Sequence, residues 1–455
     1  MKILLVRPKP SSETIGLQHV MVVEPLELEI LAALKRSHDE VFLADLILEK
    51  QPIEYYYKKF NPDVICYTGY ITNVGTILEY CRQAKQIIPN VTTIVGGVHC
   101  EVCPEDFLDA SVDYRFVRNA GVDFTELLNH LEFGTAIPKG VLIKNEEFIP
   151  EKLPPFDFHM PFPDRSLTAQ YRDRYFYIFQ DKVALIKTSF GCPYTCSFCF
   201  CREITCGKYF QRPMDEVIAE LESIKEKEVY IVDDDFLYDK KRMFNFIEEL
   251  KLRNIKKNFL VYGRADFIAC NEDVIRSLKE VGLQTVIVGF ESFSEAELEN
   301  YGKKIALENN RKAMYVLNRY KIDCFATIIL SPEWSKADFK FMVKEVKKLG
   351  IHFVNLQPLT PLPKCGIQFP DERMLIKKEE YEKWDLAHVT VKPSQLSTAD
   401  FYREILRSYT SIVFTPKAII KYLRKYKLGM LLKMISGTRK VTKQYNLKIK
   451  QAENA

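Results

Sequence analysis

The 455-residue sequence contains no apolar run that approaches the roughly 20 residues needed to cross a bilayer. The apolar run near the N-terminus covers only Ile3 to Val6, which is too short for the core of a signal peptide. Without an export signal, the 12 cysteines indicate reduced thiols rather than a disulfide framework. We therefore expect a cytoplasmic protein and exclude the secreted and membrane-spanning classes.

Acidic residues are missing from the C-terminal part of the chain. Between Lys417 and Lys450 there are 11 Lys or Arg residues and no Asp or Glu, although the net charge of the whole chain is only +4. Three interpretations of this basic tail stay open. It is a solvated helical hairpin packed on the protein, a peripheral contact with anionic lipid headgroups or a lipid substrate, or a nucleic-acid contact. A basic patch alone is poor evidence for the last, and we expect no nucleic-acid partner.

A short cysteine motif organises the chain. The stretch from Thr188 to Phe200 reads TSFGCPYTCSFCF and holds Cys192, Cys196 and Cys199 in the spacing C-x3-C-x2-C. Three thiolates in one loop can bind three irons of a [4Fe–4S] cluster and leave the fourth iron open to another ligand. The motif therefore predicts an iron–sulfur site with one free coordination position.

The setting of this motif favours a tight loop at a strand end. Gly191 and Pro193 suit a backbone that wraps around a cluster, and the apolar run at 183–187 predicts a strand before it. A zinc site is the alternative, with Cys201 or Cys206 as the fourth ligand.

Strand and helix signals alternate along two parts of the chain. Residues 1–150 predict a doubly wound parallel sheet, whose ligands bind at the carboxyl ends of its strands. Residues 151–180 are rich in proline and aromatic residues and predict a linker that packs between domains. Residues 181–370 contain six further strand candidates, at 185–187, 229–232, 259–262, 285–288, 325–330 and 353–356. Residues 371–455 leave this alternation and predict a C-terminal helical region.

The cysteine spacing, the aromatic Phe198 before the third cysteine and the strand-then-loop setting resemble the radical S-adenosylmethionine (radical SAM) superfamily. The resemblance implies a partial (β/α)6 barrel, in which the open iron chelates S-adenosylmethionine and an electron from the cluster cleaves it to a 5′-deoxyadenosyl radical. It also implies that residues at strand ends surround this cofactor. They are Phe198, Asp233, Asp234, Arg264, Glu291 and Ser292.

The N-terminal block is similar to the Rossmann-like cobalamin-binding domain that precedes many radical SAM domains. The matching pieces are PLELEILAAL, NPDVICYTGY, IVGGVHCEVCPEDFL and VDYRFVRNAG. The resemblance implies a cobalamin site that involves Thr68, Gly96, Gly97 and His99. The D-x-H-x-x-G motif is absent, so the similarity implies cobalamin without a protein histidine below the cobalt.

The run QPLTPLPKC at 357–365 and the C-terminal region resemble one cobalamin-associated branch, whose members include hopanoid-modifying and porphyrin ring-forming enzymes. This branch implies methylation of an unactivated carbon, with radical-mediated ring formation or rearrangement on a lipid or tetrapyrrole as the alternative. It also implies an electron donor such as flavodoxin or ferredoxin. The residues identify neither a catalytic acid or base nor the substrate.

A tRNA methylthiotransferase is a weaker alternative. That class carries a further cysteine set in its N-terminal domain and an RNA-binding β-barrel at its C-terminus. Cys66, Cys81, Cys100 and Cys103 do not match the former, and the predicted helical tail does not fit the latter.

Overall fold

The computed structural model of the protein describes residues 1–157, 159–303 and 305–454. The elements of the N-terminal block come first along the chain. The strands are β1 (Lys2–Arg7), β2 (Met21–Val22), β3 (Glu40–Asp45), β4 (Val64–Thr68), β5 (Thr92–Gly96), β6 (Tyr114–Phe116) and β7 (Val141–Ile143). The helices are α1 (Leu26–Ala33), α2 (Ile53–Phe60), α3 (Val74–Ile87), α4 (Val98–Val102) and α5 (Ala120–Phe133).

The remaining elements build the central and C-terminal parts. The strands are β8 (Phe176–Tyr177), β9 (Gln180–Asp181), β10 (Val183–Ile186), β11 (Ser189–Phe190), β12 (Phe210–Gln211), β13 (Glu228–Ile231), β14 (Asn258–Gly263), β15 (Leu283–Glu291), β16 (Asp323–Leu330) and β17 (Phe353–Pro358). The helices are α6 (Cys201–Ile204), α7 (Met214–Ser223), α8 (Lys240–Leu252), α9 (Ala265–Cys270), α10 (Glu272–Glu280), α11 (Glu295–Asn300), α12 (Leu307–Arg319), α13 (Lys336–Lys348), α14 (Thr398–Val413), α15 (Pro416–Lys425) and α16 (Leu428–Glu453).

The N-terminal sheet has the strand order β3-β1-β4-β5-β6-β7 and is parallel except at β7. Its interior strand β1 buries side chains on both faces. Ile3 and Leu5 pack in one apolar cluster, and Leu4 and Val6 pack in another on the opposite face. A strand covered on both faces reads as a continuous apolar run, which is why the sequence revealed it. The predicted doubly wound sheet is confirmed.

The central sheet has the order β10-β13-β14-β15-β16-β17, and all its neighbouring strands are parallel. Alternate side chains face opposite ways. Val229 and Ile231 lie in the core under the surrounding helices, whereas Tyr230 lies in a separate inner cluster. The six strands predicted for a partial (β/α)6 barrel are therefore confirmed.

The segment predicted as a linker packs between the two sheets. Its strands β8 and β9 pair with β2 in a small antiparallel sheet, and Tyr171 and Tyr175 enter the core of the N-terminal block. Arg165 lies 2.8 Å from Glu220, which follows the cysteine loop along the chain, and 3.7 Å from Glu24 of the N-terminal block. These buried ion pairs fix the orientation of the two sheets.

The C-terminal helices begin at Thr398. The Ser397 hydroxyl accepts a hydrogen bond of 3.1 Å from the Asp400 amide and caps the first turn of α14. The helical spacing of apolar residues over 417–434 is interrupted between α15 and α16. Within the described ranges, no helix combines the length and the apolar character needed to span a bilayer.

Candidate functional site

The cysteine loop begins directly after β10 and is closed at its base by the β11–β12 hairpin. Gly191 opens the loop with φ of +79°, and a Cβ atom there would lie 2.1 Å from the Lys208 carbonyl oxygen. Only glycine fits this position. The short helix α6 and the hairpin then return the chain to the barrel.

Two carboxylates after β13 hold the beginning of the loop. Asp233 is buried and accepts hydrogen bonds from the Thr188 amide at 2.6 Å, the Thr188 hydroxyl at 2.5 Å and the Ser189 hydroxyl at 2.7 Å. Asp234 accepts one of 2.9 Å from the Gly191 amide. The structure thus places both predicted residues against the backbone of the loop.

The far side of the loop is held by the segment after α11. The Ser197 amide donates a hydrogen bond of 2.9 Å to the Tyr301 carbonyl, and the Ser197 hydroxyl donates one of 3.1 Å to the Asn300 carbonyl. Phe198 packs edge-on against Tyr301, with ring centroids 5.8 Å apart. It shares a small apolar cluster with Ile329 and Leu359 at the ends of β16 and β17. Phe198 therefore packs the loop against the carboxyl ends of the barrel strands.

The three cysteines of the motif are partly buried. Burial raises the pKa of Cys192 to about 12 and raises that of Cys196. A hydrogen bond from the Cys201 thiol lowers the pKa of Cys199. Cys206 lies apart, with its sulfur 3.3 Å from the Arg118 guanidinium. Metal binding therefore has to displace the protons of Cys192 and Cys196.

A single zinc ion with ligands about 2.3 Å away holds its sulfurs in one compact tetrahedron, whereas in a polynuclear cluster each cysteine binds a different iron. Among the described residues, the groups of ligand atoms lying within 4.8 Å of one another do not include the three cysteines of the motif.

Asp235 is the site residue that the sequence did not single out. It is 2% exposed, and neither of its carboxylate oxygens has a hydrogen-bond partner among the described residues. Burial raises the pKa of Asp235 to about 8, although Arg264 and Lys303 lie close enough to oppose the shift. A buried carboxylate without partners is costly, so it indicates a place where a cationic ligand group binds.

Arg264 follows β14 and faces the same loop. Its guanidinium lies 3.6 Å from the centre of the Tyr194 ring and 3.0 Å from Asp266. The aromatic face and the carboxylate fix the guanidinium plane beside the cysteine loop.

Glu291 ends β15 at an irregularity in the pairing with β16 and has φ of +61°. Its buried carboxylate lies 2.6 Å from Lys303, which also donates a 2.6 Å hydrogen bond to the Gly289 carbonyl. Ser292 turns away and donates to Glu297. The structure therefore brings Glu291 to the barrel mouth and engages Ser292 with the following helix.

On the opposite side, the turn after β5 comes close to the end of β4. Gly97 has φ of +93°, and a Cβ atom there would lie 2.7 Å from the Thr68 hydroxyl and 2.9 Å from the Gly69 amide. Gly96 is less constrained, since its nearest contact would be 3.5 Å from Phe116. The strand ends of the N-terminal sheet thus form a shallow cradle that a side chain at Gly97 would fill.

His99 does not join this cradle. It is buried, with Nε2 2.8 Å from Asp106, and its ring packs near Phe107 and Tyr381. Asp106 also lies 3.1 Å from Lys378. The His99 side chain therefore packs toward Tyr381, in the segment before the C-terminal helices.

The two strand-end sites face each other across an internal space. Helix α4, which follows Gly97, contacts α6 of the cysteine loop. Tyr70, after β4, is 64% exposed, yet its surroundings include Tyr262 and Cys201 of the barrel, and desolvation raises its pKa to about 12. Tyr262 is 36% exposed in the same way. Tyr70 and Tyr262 therefore lie between the N-terminal block and the barrel, beside the cysteine loop.

Sequence reasoning missed Asp235, Lys303 and Tyr70. Asp235 stands in a run of three acidic residues, and no sequence signal distinguishes it from the two carboxylates that have hydrogen-bond partners. Tyr70 belongs to the quoted NPDVICYTGY segment, and its position two residues beyond the strand end was a usable signal.

Comparison with known families gives two domain matches. The radical SAM superfamily model matches residues 186–346, and the B12 binding domain model matches residues 14–128. The first match contains the three cysteines, and the second contains the Gly97 cradle.

Three similar proteins cover most of this chain. The hopanoid C-3 methylase of Methylococcus capsulatus is 26% identical over 90% of this chain and 79% of that protein. The structure of the radical SAM methyltransferase TsrM from Kitasatospora setae, with cobalamin and a [4Fe–4S] cluster bound, has a TM-score of 0.66 and 16% identity, covering 98% of this chain and 99% of TsrM. The cobalamin-dependent radical enzyme OxsB has a TM-score of 0.61 and 17% identity over 84% of this chain, which spans 55% of OxsB. The two structures share the fold of this protein.

Proposed function

We propose that this chain, which belongs to the radical SAM superfamily and carries an N-terminal B12 binding domain, is a cobalamin-dependent enzyme that methylates an unactivated carbon. The observation that carries the proposal is the facing arrangement of the two strand-end sites. The helix α4 after the Gly97 cradle contacts α6 after the cysteine loop, and Tyr70 lies near Tyr262 and Cys201 between the two sites. A methyl carrier and a radical source held there would reach the same substrate.

The residues fit the cofactors that such an enzyme requires. Cys192, Cys196 and Cys199 would hold a [4Fe–4S] cluster with one open iron, and the unpartnered Asp235 carboxylate would accept the ammonium group of S-adenosylmethionine. Thr68, Gly96 and Gly97 would bound the cobalamin side. When bound, the cluster supplies the electron for cleavage of S-adenosylmethionine, and cobalamin supplies the methyl carrier.

The protein's own residues position the cofactor-binding groups and limit the access of water. Asp233, Asp234 and Tyr301 hold the backbone of the cysteine loop from both sides, so the three cysteines are positioned before the cluster binds. Arg264, fixed on Tyr194, faces the carboxylate end expected for the amino-acid part of S-adenosylmethionine. Cofactors and substrate bound between the two sheets would displace water from the reactive groups.

The partners follow from this chemistry. The substrate is a small molecule or lipid that binds between the two sheets, and a flavodoxin or ferredoxin supplies electrons to the cluster. The basic tail is proposed to make a peripheral membrane contact. The helical C-terminal region favours these partners over the tRNA that a methylthiotransferase would bind.

The test uses S-adenosylmethionine whose methyl group is fully deuterated. The protein is reconstituted anaerobically with iron, sulfide and hydroxocobalamin. A chemical reductant is then added, together with an extract of cells of the source organism that lack this protein, as the source of substrate. Methylation predicts a product that carries the deuterated methyl group, with 5′-deoxyadenosine and S-adenosylhomocysteine formed in equal amounts. Ring formation or rearrangement would instead give 5′-deoxyadenosine without label transfer, and this outcome would replace the proposal by its alternative.

A further inference from the structure

The apolar surface of this protein is concentrated in one place. Of the 20 large hydrophobic side chains that are exposed among the described residues, eight lie between positions 414 and 447. Seven of these eight lie between Phe414 and Ile435. An apolar patch of this density normally marks an interaction surface.

The exposed apolar side chains recur at helical spacing along the last two helices. On α15, Ile419, Ile420 and Leu423 are 40%, 50% and 63% exposed. On α16, Leu428 and Leu432 are 69% and 58% exposed and stand one helical turn apart. The exposed side chains thus form the outer face of a bent pair of helices, which we call the hairpin face.

The opposite side of the same helices is firmly packed, so the hairpin face is held in a fixed position. Lys421 lies 2.8 Å from Asp323 at the start of β16, and the Tyr422 hydroxyl donates a 2.9 Å hydrogen bond to the His352 carbonyl. The Tyr426 ring stacks on Phe179 with centroids 4.2 Å apart. Further along α16, Gly437 lies so close to the His19 carbonyl that a Cβ atom would approach its oxygen to 2.1 Å.

Charge identifies the partner. The sequence contains no Asp or Glu between Ile405 and Ala452, and exposed Arg424 and Lys427 border the apolar side chains. An apolar face with a purely basic border is complementary to the anionic headgroups and acyl chains of a bilayer. A second copy of the chain would bring like charges together, which disfavours self-association.

The position of the face argues against docking of the electron donor. α15 contacts Asp323 at the first residue of β16, whereas the cysteine loop packs near Ile329 at the other end of that strand. Six residues of strand separate the two by about 20 Å. A donor on the hairpin face would therefore sit far from the cluster.

We infer that the hairpin face lies in the plane of an anionic lipid bilayer, with its apolar side chains inserted and Arg424 and Lys427 at the headgroups. This inference deepens the membrane contact proposed above and does not depend on methyl transfer. It orients the protein with the amino ends of the barrel strands toward the membrane and the cysteine loop away from it.

Sedimentation of the full-length, cluster-loaded protein with vesicles tests the inference. Vesicles of equal phosphatidylglycerol and phosphatidylcholine should bind the protein at 0.1 M NaCl, and phosphatidylcholine alone should bind it much more weakly. The double variants Leu423→Ser with Leu428→Ser, and Arg424→Gln with Lys427→Gln, should each bind at least about tenfold more weakly.

Matched variants elsewhere control for general surface effects. Leu252→Ser with Tyr315→Ser removes two exposed apolar side chains, and Lys340→Gln with Lys344→Gln removes two exposed charges, from the outer helices of the barrel. Both should bind vesicles as the wild type does. All variants should still cleave S-adenosylmethionine without vesicles, so failure of this inference is distinguishable from failure of the proposed chemistry.

Three results would overturn the inference. One is vesicle binding that is absent in the wild type, or that is unchanged in both hairpin-face variants. Another is a dimer that dissociates in the Leu423→Ser and Leu428→Ser variant, which would assign the face to a second copy. The third is binding to duplex DNA or RNA that exceeds vesicle binding and depends on Arg424 and Lys427.

Discussion

Asp233 and Thr188 are joined by two hydrogen bonds, because the buried carboxylate accepts from both the amide and the hydroxyl of Thr188, at 2.6 and 2.5 Å. Ser189 adds a third donor at 2.7 Å. One side chain at the end of β13 therefore fixes the two residues that lead into the cysteine loop. The first strand-end carboxylate therefore positions the start of the cysteine loop.

Replacing Asp233 by Asn should impair assembly of the iron–sulfur site. The amide keeps one acceptor oxygen and removes the charge that strengthens three hydrogen bonds, which should lower the free energy of unfolding by about 2 kcal/mol. We expect less than half of the wild-type iron content after anaerobic reconstitution. Asp234→Asn is the matched control, because Asp234 accepts only one backbone hydrogen bond and is partly exposed, and it should retain most of the iron. Full iron in the Asp233 variant would contradict the positioning role.

Binding of S-adenosylmethionine should release a proton from Asp235. Burial raises the pKa of this carboxyl to about 8, so it is largely protonated at pH 7 and ionises when an ammonium group binds beside it. The affinity should therefore rise with pH, approaching tenfold per unit between pH 6.0 and 7.5. Calorimetry in two buffers of different ionisation enthalpy measures the release directly. Asp235→Asn should bind more weakly and release no proton, whereas Asp235→Glu should retain part of the release.

The sign of the accompanying stability change is opposite to that of a salt-bridged carboxylate. The folded-state pKa of Asp235 lies above the ordinary value of 3.8, so the unfolded chain holds fewer protons than the folded chain between these two pKa values. The ligand-free protein should thus lose stability as pH rises from about 4 to about 8. A pH-independent affinity for S-adenosylmethionine in the wild type would contradict this role of Asp235.

Gly97→Ala should weaken cobalamin binding strongly, with little effect on the iron–sulfur site. The added methyl group would meet the Thr68 hydroxyl at 2.7 Å and the Gly69 amide at 2.9 Å, in a backbone conformation that favours glycine. Absorbance titration with hydroxocobalamin should show an affinity at least tenfold lower, which corresponds to a loss of about 1.4 kcal/mol in binding free energy. Gly134→Ala is the control, since Gly134 also has positive φ but no atom within 4 Å of the added group. Equal cobalamin affinity in both variants would show that the cradle does not bind the cofactor.

The sequence predicted the two sheets because their strands are buried on both faces. Runs such as Ile3 to Val6 are apolar without interruption, and their burial in two opposite clusters accounts for this. The strands β8, β9, β11 and β12 contain two residues each, which is too short for any periodic signal. The break between α15 and α16 was also missed, since the apolar spacing continues through it.

The candidate site was predictable in its composition but not in its hydrogen bonding. The cysteine spacing is a local property of the sequence. In contrast, Asp233 and Asp235 differ only in whether the folded chain offers donors to their carboxylates. His99 shows the same limit, because only the folded chain places its imidazole 2.8 Å from the Asp106 carboxylate.

The central claim is that the three motif cysteines hold a cluster that cleaves S-adenosylmethionine, and one comparison tests it most directly. Wild-type protein and the Cys192→Ala, Cys196→Ala, Cys199→Ala triple variant are reconstituted anaerobically and incubated with S-adenosylmethionine and a reductant. The wild type should contain about four irons, show a broad absorbance near 400 nm and form 5′-deoxyadenosine. The triple variant should do none of these, and formation of 5′-deoxyadenosine by that variant at the wild-type rate would contradict the account.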